Sequence, residues 1–434
     1  MTDIATPLTL PCGLTLRNRL AKAAMTEQLA GPDGAPHEGH RRLYQRWAEG
    51  GLGLSVTGNV IVDRRYPEHP QNVVIDGPQD EGRVDALRAW AGAAQADGCA
   101  CFVQLSHAGR QSPKSVAPEP VGPSAVAVAL PGGQFGAPRA LTTEEIEDVI
   151  DRFAAAASAC AAAGFAGVQV HAAHGYLLSS FLNPRVNRRE DAWGGSLENR
   201  ARLLLRTVEA VRAVIPDGFA VSVKLNSSDF QRGGLSTDDS LTVAGWLAER
   251  GIDLLEVSGG SYEQPAMMDM SGMEARYDEA KRESTRRREA YFLDFADAMR
   301  VRTDVPLMVT GGFRTRSGMD DALSEGADGR SSCDVIGLAR PLCVVPDLPR
   351  RLLDGSAASV PSYEKTLALG PGPLGPNSPN DTIRAINGFG VMSFFYENIR
   401  AMAAGREPRE KMMLLPAFVR GQMRAARAAK ARAT

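Results

Sequence analysis

The sequence predicts an α/β fold, a (β/α)8 barrel of the TIM type over residues 1–355, followed by a C-terminal extension over residues 356–434. Three observations indicate it. Eight short apolar segments alternate with eight helical segments, as in a parallel sheet covered by helices. The length accommodates a barrel, which takes about 250 residues before insertions. The longest connections all follow predicted strands, and that end of such barrels carries the active site.

The predicted strands are short apolar runs, several of them rich in β-branched residues. In chain order they cover residues 20–25, 54–60, 101–105, 167–170, 219–225, 254–258, 307–310 and 334–338. Each run is too short for a typical helix, and a segment with helical periodicity follows it. Consecutive strands are therefore expected to lie parallel, joined by crossover helices.

The predicted helices have apolar residues spaced by three or four positions. They cover residues 38–50, 81–97, 142–163, 196–215, 237–250, 288–303, 315–325 and 348–353. Thr142 and Glu145 form a capping box at the start of the third helix. Gly164 and Gly251 follow two of the helices and are expected to end them.

An open, doubly wound sheet is the alternative arrangement for these elements. It should carry a glycine-rich turn after the first strand, and the sequence has none there. Residues 370–375 match the spacing of a dinucleotide-binding motif, but prolines occupy the variable positions and no strand precedes them. The closed barrel is the prediction.

Composition excludes several classes of protein. The net charge of −2 gives no overall attraction for nucleic acid. No stretch approaches 18 consecutive apolar residues, and the N-terminus lacks the features of a signal peptide. The six cysteines contain no C-x-x-C pair for an iron–sulfur cluster or zinc ribbon. We expect a cytoplasmic protein with reduced thiols and no membrane or nucleic-acid partner.

The extension differs in character from the barrel. Residues 356–380 are rich in Pro, Gly and Ser, which indicates a wrap or linker. Residues 382–403 are expected to be helical and to pack across a barrel end or onto a partner subunit, which predicts a homo-oligomer, a dimer. Residues 420–434 carry Arg and Lys among alanines. A basic helix that contacts nucleic acid is one interpretation, and a solvated tail is the favoured one.

Three connections are longer than usual, and all three follow strands. They cover residues 106–141, 177–195 and 259–287. The third is rich in methionine, which suits an adaptable apolar lid, and surface disorder is the alternative.

The fourth strand ends in two histidines and a tyrosine, His171, His174 and Tyr176. An apolar strand that stops at such residues is typical of a strand opening into a site. The histidines can donate hydrogen bonds to a substrate oxygen, and the tyrosine can deliver a proton. A zinc site would need a third and usually a fourth ligand, and no Cys or carboxylate lies close by at ligand spacing. Two hydrogen-bonded core histidines are the other alternative.

The remaining strand ends provide further candidates. They are Ala24, Met25 and Thr26 after the first strand, Gly58 in the second, Gln104 in the third, Lys224 in the fifth, Gly311 and Gly312 after the seventh, and Ala339 and Arg340 after the eighth. Glycine turns after strands seven and eight form the usual phosphate site of such barrels, and an arginine adds a charged fork. Gln104 can donate to and accept from a flat heterocycle, and Lys224 provides a fixed positive charge. Together with the phosphate site, these residues suggest a flavin mononucleotide enzyme.

Residues 8–353 resemble the Old Yellow Enzyme family of flavin-dependent ene-reductases. The matching stretches are residues 16–19 (LRNR), 104–110 (QLSHAGR), 171–177 (HAAHGYL), 181–185 (FLNPR), 191–200 (DAWGGSLENR) and 337–340 (GLAR). The resemblance implies non-covalent FMN, reduction by NADH or NADPH, and hydride transfer to an activated alkene.

By the same resemblance, His171 and His174 hold the electron-withdrawing group of the substrate and Tyr176 protonates its α-carbon. Thr26 would lie beside the flavin ring, and Gln104 would bind its pyrimidine part. Three positions depart from the family pattern: Thr26 replaces a cysteine of many bacterial relatives, Gln28 a frequent tyrosine, and Lys224 a frequent arginine.

Other activities stay open at this level. Quinones, nitro compounds or oxygen are possible acceptors in place of an alkene. Flavin-dependent dehydrogenation or demethylation is disfavoured because the cluster cysteines of that branch are missing. A flavin-binding sensor without turnover is disfavoured because His171, His174 and Tyr176 are all present.

Overall fold

Eight parallel strands form a closed ring in the computed structural model, which describes residues 2–130, 133–229, 233–259, 293–326 and 329–433. Each strand pairs with the next, and the eighth pairs with the first through Gly337 and Ala21. The strands are β1 Leu20–Lys22, β2 Leu54–Ile61, β3 Ala100–Ser106, β4 Gly167–Ala172, β5 Ala220–Asn226, β6 Leu254–Ser258, β7 Leu307–Thr310 and β8 Val335–Leu338. The predicted (β/α)8 barrel is confirmed, and the open sheet is excluded.

Helices surround the ring, and all except α4 lie where the sequence predicted them. They are α1 Glu38–Glu49, α2 Glu81–Ala94, α3 Thr143–Ala162, α4 Leu177–Leu182, α5 Leu197–Val214, α6 Thr237–Glu249, α7 Leu293–Arg300, α8 Arg316–Leu323 and α9 Leu348–Leu353. The capping box is present at α3. Thr142 Oγ1 accepts from the Glu145 amide at 3.2 Å, and Glu145 Oε2 accepts from the Thr142 amide at 2.9 Å. Helix α4 occupies part of the stretch predicted as a long loop after β4.

Alternation along the strands divides the barrel into two layers. At the N-terminal end, inward side chains such as Phe102, Leu254 and Met308 form an apolar cluster with Leu10 and Leu16 of the N-terminal hairpin. Towards the C-terminal end of each strand, the side chains that point into the barrel are polar. The alternate residues along each strand point outward and pack beneath the helices. The polar layer therefore lies at the end where barrel enzymes hold their sites.

The extension forms two helices, α10 Asp381–Ala403 and α11 Leu414–Ala433, which pack on each other. Helix α10 also contacts α1, and its residues Phe394, Ile399 and Met402 belong to the core cluster that contains the outward barrel residues. The boundary at residue 355 stays a prediction.

The favoured interpretation of residues 420–434 as a solvated tail holds in part: residues 420–432 are half-buried or exposed, but they belong to a helix that packs on α10. An alanine-rich segment has high helix propensity, and here it forms most of α11. Three of its basic residues contact the rest of the protein: Arg420 and Arg424 pair with Glu397 of α10, and Arg432 donates to the Arg64 carbonyl oxygen at 2.9 Å.

Two further predictions concern the methionine-rich loop after β6 and the absence of membrane-spanning segments. The methionine-rich loop, residues 259–287, and the start of the predicted helix at residue 288 lie almost entirely outside the described residues. Within the described ranges, no helix is long and apolar enough to cross a membrane.

Candidate active site

Two histidine rings meet at the end of β4 and are held from both sides. His171 Nε2 lies 3.1 Å from His174 Nδ1, and the rings are nearly perpendicular. On one side, His171 Nδ1 lies 3.0 Å from Asn59 Oδ1 on β2. On the other, His174 Nε2 lies 2.7 Å from Ser258 Oγ on β6. The site therefore brings together residues far apart in the sequence.

Tyr176 lies beside this pair. Its ring packs against His171 with centroids 4.8 Å apart, and the Asn59 amide donates to its hydroxyl oxygen at 3.3 Å. The residue precedes α4 with extended backbone angles, which turn the chain from the strand into the helix. The three residues predicted at this strand end thus share one cluster.

The turn between the two histidines is strained. His174 has a φ of +63°, in the left-handed region that non-glycine residues seldom adopt. Its amide donates to Asn226 Oδ1 at 3.2 Å, and its carbonyl accepts from Gln111 Nε2 at 2.9 Å. Such strain persists where surrounding contacts hold it, and it is frequent at active sites.

Burial favours the neutral form of both rings. Burial lowers the pKa of His171 well below its ordinary value, and the neighbouring His174 and Lys224 act in the same direction. The pKa of His174 is lowered for the same first reason and by Lys224. Neutral imidazoles carry one N–H each, so each can donate one hydrogen bond.

A line of polar side chains crosses the barrel interior beside the histidines. Gln104 Nε2 donates to Gln169 Oε1 at 2.7 Å, and Gln169 Nε2 donates to Glu256 Oε2 at 2.9 Å. Lys224 Nζ lies 2.9 Å from Glu256 Oε1. Lys224 thus stands at the predicted strand end, but with a carboxylate partner that the sequence reading missed. A glutamate inside the apolar run of β6 was the available signal.

Close backbone approach characterises the β1 side of the site. A Cβ at Gly58 would lie 2.4 Å from the Met25 carbonyl oxygen and 2.7 Å from Thr26 Cα, so only glycine fits. The Gly58 amide donates to Glu27 Oε1 at 2.8 Å. Ala24, at the edge of the apolar interior cluster, continues the same segment. The predicted residues of the first two strands therefore form one continuous wall.

The loops after β7 and β8 carry open glycine backbone and two arginines. Gly311 and Gly312 have φ values of +92° and +86°, and a Cβ at Gly311 would meet no atom within 4 Å. Ala339 precedes a short 3-10 turn, Arg340–Cys343. Arg340 Nη2 lies 3.6 Å from Glu364 Oε1, and Arg314 Nη2 lies 3.1 Å from the same oxygen. Open glycine backbone and two adjacent guanidinium groups are suitable partners for a phosphate.

Residues of the extension reach the rim of the site. Arg400 of α10 donates to the Gln28 carbonyl oxygen at 3.2 Å and to Gln28 Oε1 at 3.1 Å. Gln28 itself has a φ of +56°. Burial raises the pKa of Tyr396, one turn earlier on α10, and the Glu68 charge acts in the same direction. No sequence pattern connected α10 with residue 28, because helical periodicity does not reveal which element a helix covers.

In residues 2–130, 133–229, 233–259, 293–326 and 329–433, no group of three or more His, Cys, Asp or Glu side chains is arranged to hold a metal ion. The six cysteines, all in these ranges, are free thiols.

Comparison with sequence families identifies the barrel. Residues 3–358 match the model of the NADH:flavin oxidoreductase / NADH oxidase family. An NADH-dependent flavin oxidoreductase of Hypocrea jecorina is 39% identical over 363 residues, which cover 80% of this chain and 88% of that protein. A similarly described protein of a Neonectria species is 41% identical over 368 residues, 81% of this chain but only 47% of the relative.

Solved structures agree with the sequence comparison. The Old Yellow Enzyme homologue of Zymomonas mobilis has a TM-score of 0.66 and 26% identity, over 85% of this chain and 97% of its own. Morphinone reductase has a TM-score of 0.64 and 27% identity, over 83% of this chain and 92% of its own. Flavin-dependent NAD(P)H oxidoreduction with FMN follows from these relationships. The chain belongs to the NADH:flavin oxidoreductase family of Old Yellow Enzyme type.

Proposed function

We propose that the protein is an ene-reductase, which transfers hydride from NADH or NADPH to the activated C=C bond of an α,β-unsaturated carbonyl compound. The observation that carries the proposal is the cluster of two neutral histidines with Tyr176 at the end of β4. Neutral N–H donors polarise a carbonyl oxygen, and a neighbouring phenol can protonate the adjacent carbon.

In this reaction the two histidines bind the substrate and Tyr176 supplies the proton. FMN, when bound, would supply the hydride chemistry that links the nicotinamide nucleotide to the β-carbon of the alkene. His171 and His174 hold the carbonyl oxygen, and Tyr176 gives its hydroxyl proton to the α-carbon. The Asn59 amide then stabilises the phenolate by its hydrogen bond to the phenol oxygen, at 3.3 Å in this structure. Solvent restores the proton.

The remaining predicted residues would bind the cofactor. Gly311, Gly312, Ala339 and Arg340 would surround its phosphate, while Gln104 and Lys224 would contact the polar edge of its ring system. Ala24, Met25, Thr26 and Gly58 would form the wall beside the ring. Lys224 is paired with Glu256, so its charge acts on the ring as part of an ion pair.

The test is an anaerobic spectrum of the purified holoenzyme. We expect flavin absorbance to fall when NADH or NADPH is added and to return when 2-cyclohexenone follows. The nucleotide that bleaches faster is the preferred donor. Bleaching without recovery would contradict the ene-reductase proposal and direct attention to other acceptors. An NADH oxidase of Thermoanaerobacter brockii, 30% identical over 346 residues, makes oxygen the first alternative acceptor to add.

A homodimer is part of the proposal. The stretch formed by the start of α11 and the residue before it exposes Met413, Leu415, Val419 and Met423, between 43% and 77% of each side chain. Light scattering coupled to size-exclusion chromatography should give twice the mass of one chain, which is 46.3 kDa. A single-chain mass at micromolar concentration would contradict this part.

A further inference from the structure

Glu256 of β6 is a buried carboxylate in the polar layer inside the barrel, and its side chain is surrounded by donors. Lys224 Nζ lies 2.9 Å from its Oε1, and Thr310 Oγ1 donates to the same oxygen at 2.7 Å. Gln169 Nε2 donates to Oε2 at 2.9 Å. An ionised carboxylate only accepts hydrogen bonds, so these three contacts suit the charged form.

The first consequence concerns the orientation of two amides. Because the carboxylate has no hydrogen to give, the nitrogen of Gln169 must face it, and the same nitrogen donates to Ser222 Oγ at 3.2 Å. The oxygen of Gln169 then faces Gln104 Nε2 at 2.7 Å. An amide oxygen only accepts, so Gln104 must present its nitrogen to Gln169. Glu256 thereby orients an amide that it does not contact.

This orientation decides what Gln104 can offer to a ligand. Its nitrogen carries two hydrogens, and its oxygen is an acceptor. Gln169 uses one of the hydrogens, which leaves the other hydrogen and the oxygen for a ligand. A donor beside an acceptor matches an imide, in which an N–H lies between two carbonyl groups. The pyrimidine ring of a flavin contains such an imide.

The second consequence concerns charge. Lys224 and Glu256 are register partners on β5 and β6, and both side chains are buried. An ion pair acts on a neighbouring group more weakly than a lone cation does, because its two charges have opposite signs. A flavin that takes up hydride gains one negative charge. The carboxylate is therefore expected to reduce the stabilisation that Lys224 gives to the reduced flavin.

We propose that Glu256 is a positioning residue for the flavin ring: it orients Gln104 through Gln169, and it weakens the field of Lys224, which lowers the reduction potential of the bound cofactor. The inference rests on the proposed function, which places Gln104 and Lys224 at the polar edge of the ring. A lower potential makes the reduced flavin a stronger hydride donor, so the carboxylate favours the acceptor half-reaction.

The first measurement is the two-electron reduction potential of the bound flavin, obtained by anaerobic reduction together with a reference dye. Glu256→Gln keeps the size of the side chain and removes its charge. We expect the equilibrium constant for reduction to rise by about tenfold or more, and tenfold is about 30 mV for a two-electron couple.

Asp253→Asn is the matched control for this measurement. Asp253 directly precedes β6, is also buried, and pairs with Arg212 at the opposite end of the barrel from the site. Its variant removes a buried, ion-paired carboxylate and should keep the potential of the unmodified protein.

A second comparison keeps the cation charged in both of its members. Lys224→Arg and the double variant Lys224→Arg/Glu256→Gln differ only in the carboxylate, and arginine is not deprotonated in proteins. The potential should again be higher without the carboxylate. An unchanged or lower potential in both comparisons would overturn the proposed effect of Glu256 on charge. If Lys224→Met also left the potential unchanged, the placement of Lys224 at the ring in the proposed function would be wrong as well.

The contact through Gln169 is tested by the affinity for FMN. Gln169→Leu removes the acceptor for Gln104 and changes no charge. We expect the dissociation constant of FMN, measured from the fluorescence released on dilution of the holoenzyme, to rise by about tenfold, with a much smaller change of potential than in Glu256→Gln. Gln45→Leu, at an exposed glutamine of α1, is the control. Equal affinities in Gln169→Leu and the control would overturn the proposed orientation of Gln104.

Neither measurement uses an alkene. Failure of the unmodified holoenzyme to reduce 2-cyclohexenone would therefore contradict the ene-reductase proposal and leave the results on potential and affinity standing.

Discussion

Tyr176 contacts His171 through its ring and Asn59 through its hydroxyl. Its assigned task concerns only the alkene step. We expect Tyr176→Phe to slow reoxidation of the flavin by 2-cyclohexenone by about a hundredfold, the usual scale of a lost general acid. Reduction by NADH should stay nearly unchanged. The measurement is stopped-flow absorbance of each half-reaction.

Tyr363→Phe is the matched control, because that hydroxyl lies beside Glu410 of the extension at 3.4 Å. Equal losses of Tyr176→Phe in both half-reactions would show that the hydroxyl supports the fold or the flavin and does not act as the acid.

Arg340 is expected to hold the cofactor phosphate. The β7–β8 pairing brings the ends of these two strands side by side, and Arg340 Nη2 lies 3.6 Å from Glu364 Oε1. Arg340→Ala should lose FMN on dialysis, with an affinity lower by at least about tenfold, since one charge-assisted contact is removed. Fluorescence of the released flavin measures the loss. Arg302→Ala, an exposed arginine in the loop after α7, should keep its flavin. Equal retention in both variants would remove Arg340 from the phosphate site.

Some residues of the candidate site can be predicted from the sequence, and others cannot. His171, His174 and Tyr176 were predictable because an apolar strand ends in them. Asn59 and Glu68 were not, since an asparagine within β2 and a glutamate in a loop match no pattern. Asn59 lies 112 residues from His171 along the chain. Only the closure of the barrel makes them neighbours.

The extension is held to the barrel by apolar side chains of α10. Phe394 is completely buried, whereas Phe389, on the same helix, is 36% exposed and stacks on Phe418 of α11. We expect Phe394→Ala to lower the free energy of unfolding by about 3–5 kcal/mol, as for other buried phenylalanines. Phe389→Ala should cost much less. Urea unfolding of both variants is the measurement, and similar costs would mean that α10 contributes little to the core.

At the level of elements, periodicity predicted the strands and most helices, because burial in a barrel leaves a strong apolar signal. It failed where burial is decided by other parts of the chain. Helix α4 is short and follows closely on β4, so its six residues gave no helical period. Helix α11 is stabilised by ion pairs with Glu397, which the basic segment by itself does not reveal.

Acid should destabilise the whole molecule below about pH 6.5, the ordinary pKa of histidine. Burial lowers the pKa of His40 and His69 to about 3, and it lowers the pKa of His171 and His174 in the same direction. The unfolded chain therefore binds protons at a pH where the folded chain does not, so stability is lost as pH falls from 6.5 towards the folded values.

For His40, which is 1% exposed, the loss between pH 7.5 and 5 is about 2 kcal/mol. Glu68 and Asp229, whose pKa values are raised by burial, oppose the effect at lower pH. Melting temperature against pH is the measurement, and His40→Gln should show a shallower decline. A melting temperature unchanged from pH 7.5 to 5 would contradict the prediction.

The contact between Arg400 and Gln28 has an evolutionary consequence. Arg400 lies outside residues 3–358, the part that matches the family, yet it borders the rim of the site. Substrate choice can therefore diverge through replacement of a terminal segment, with the side chains of the eight strands left untouched. Two relatives with nearly identical barrels could accept different molecules for this reason alone, and an affinity tag fused after α11 would be placed on the segment that supplies Arg400.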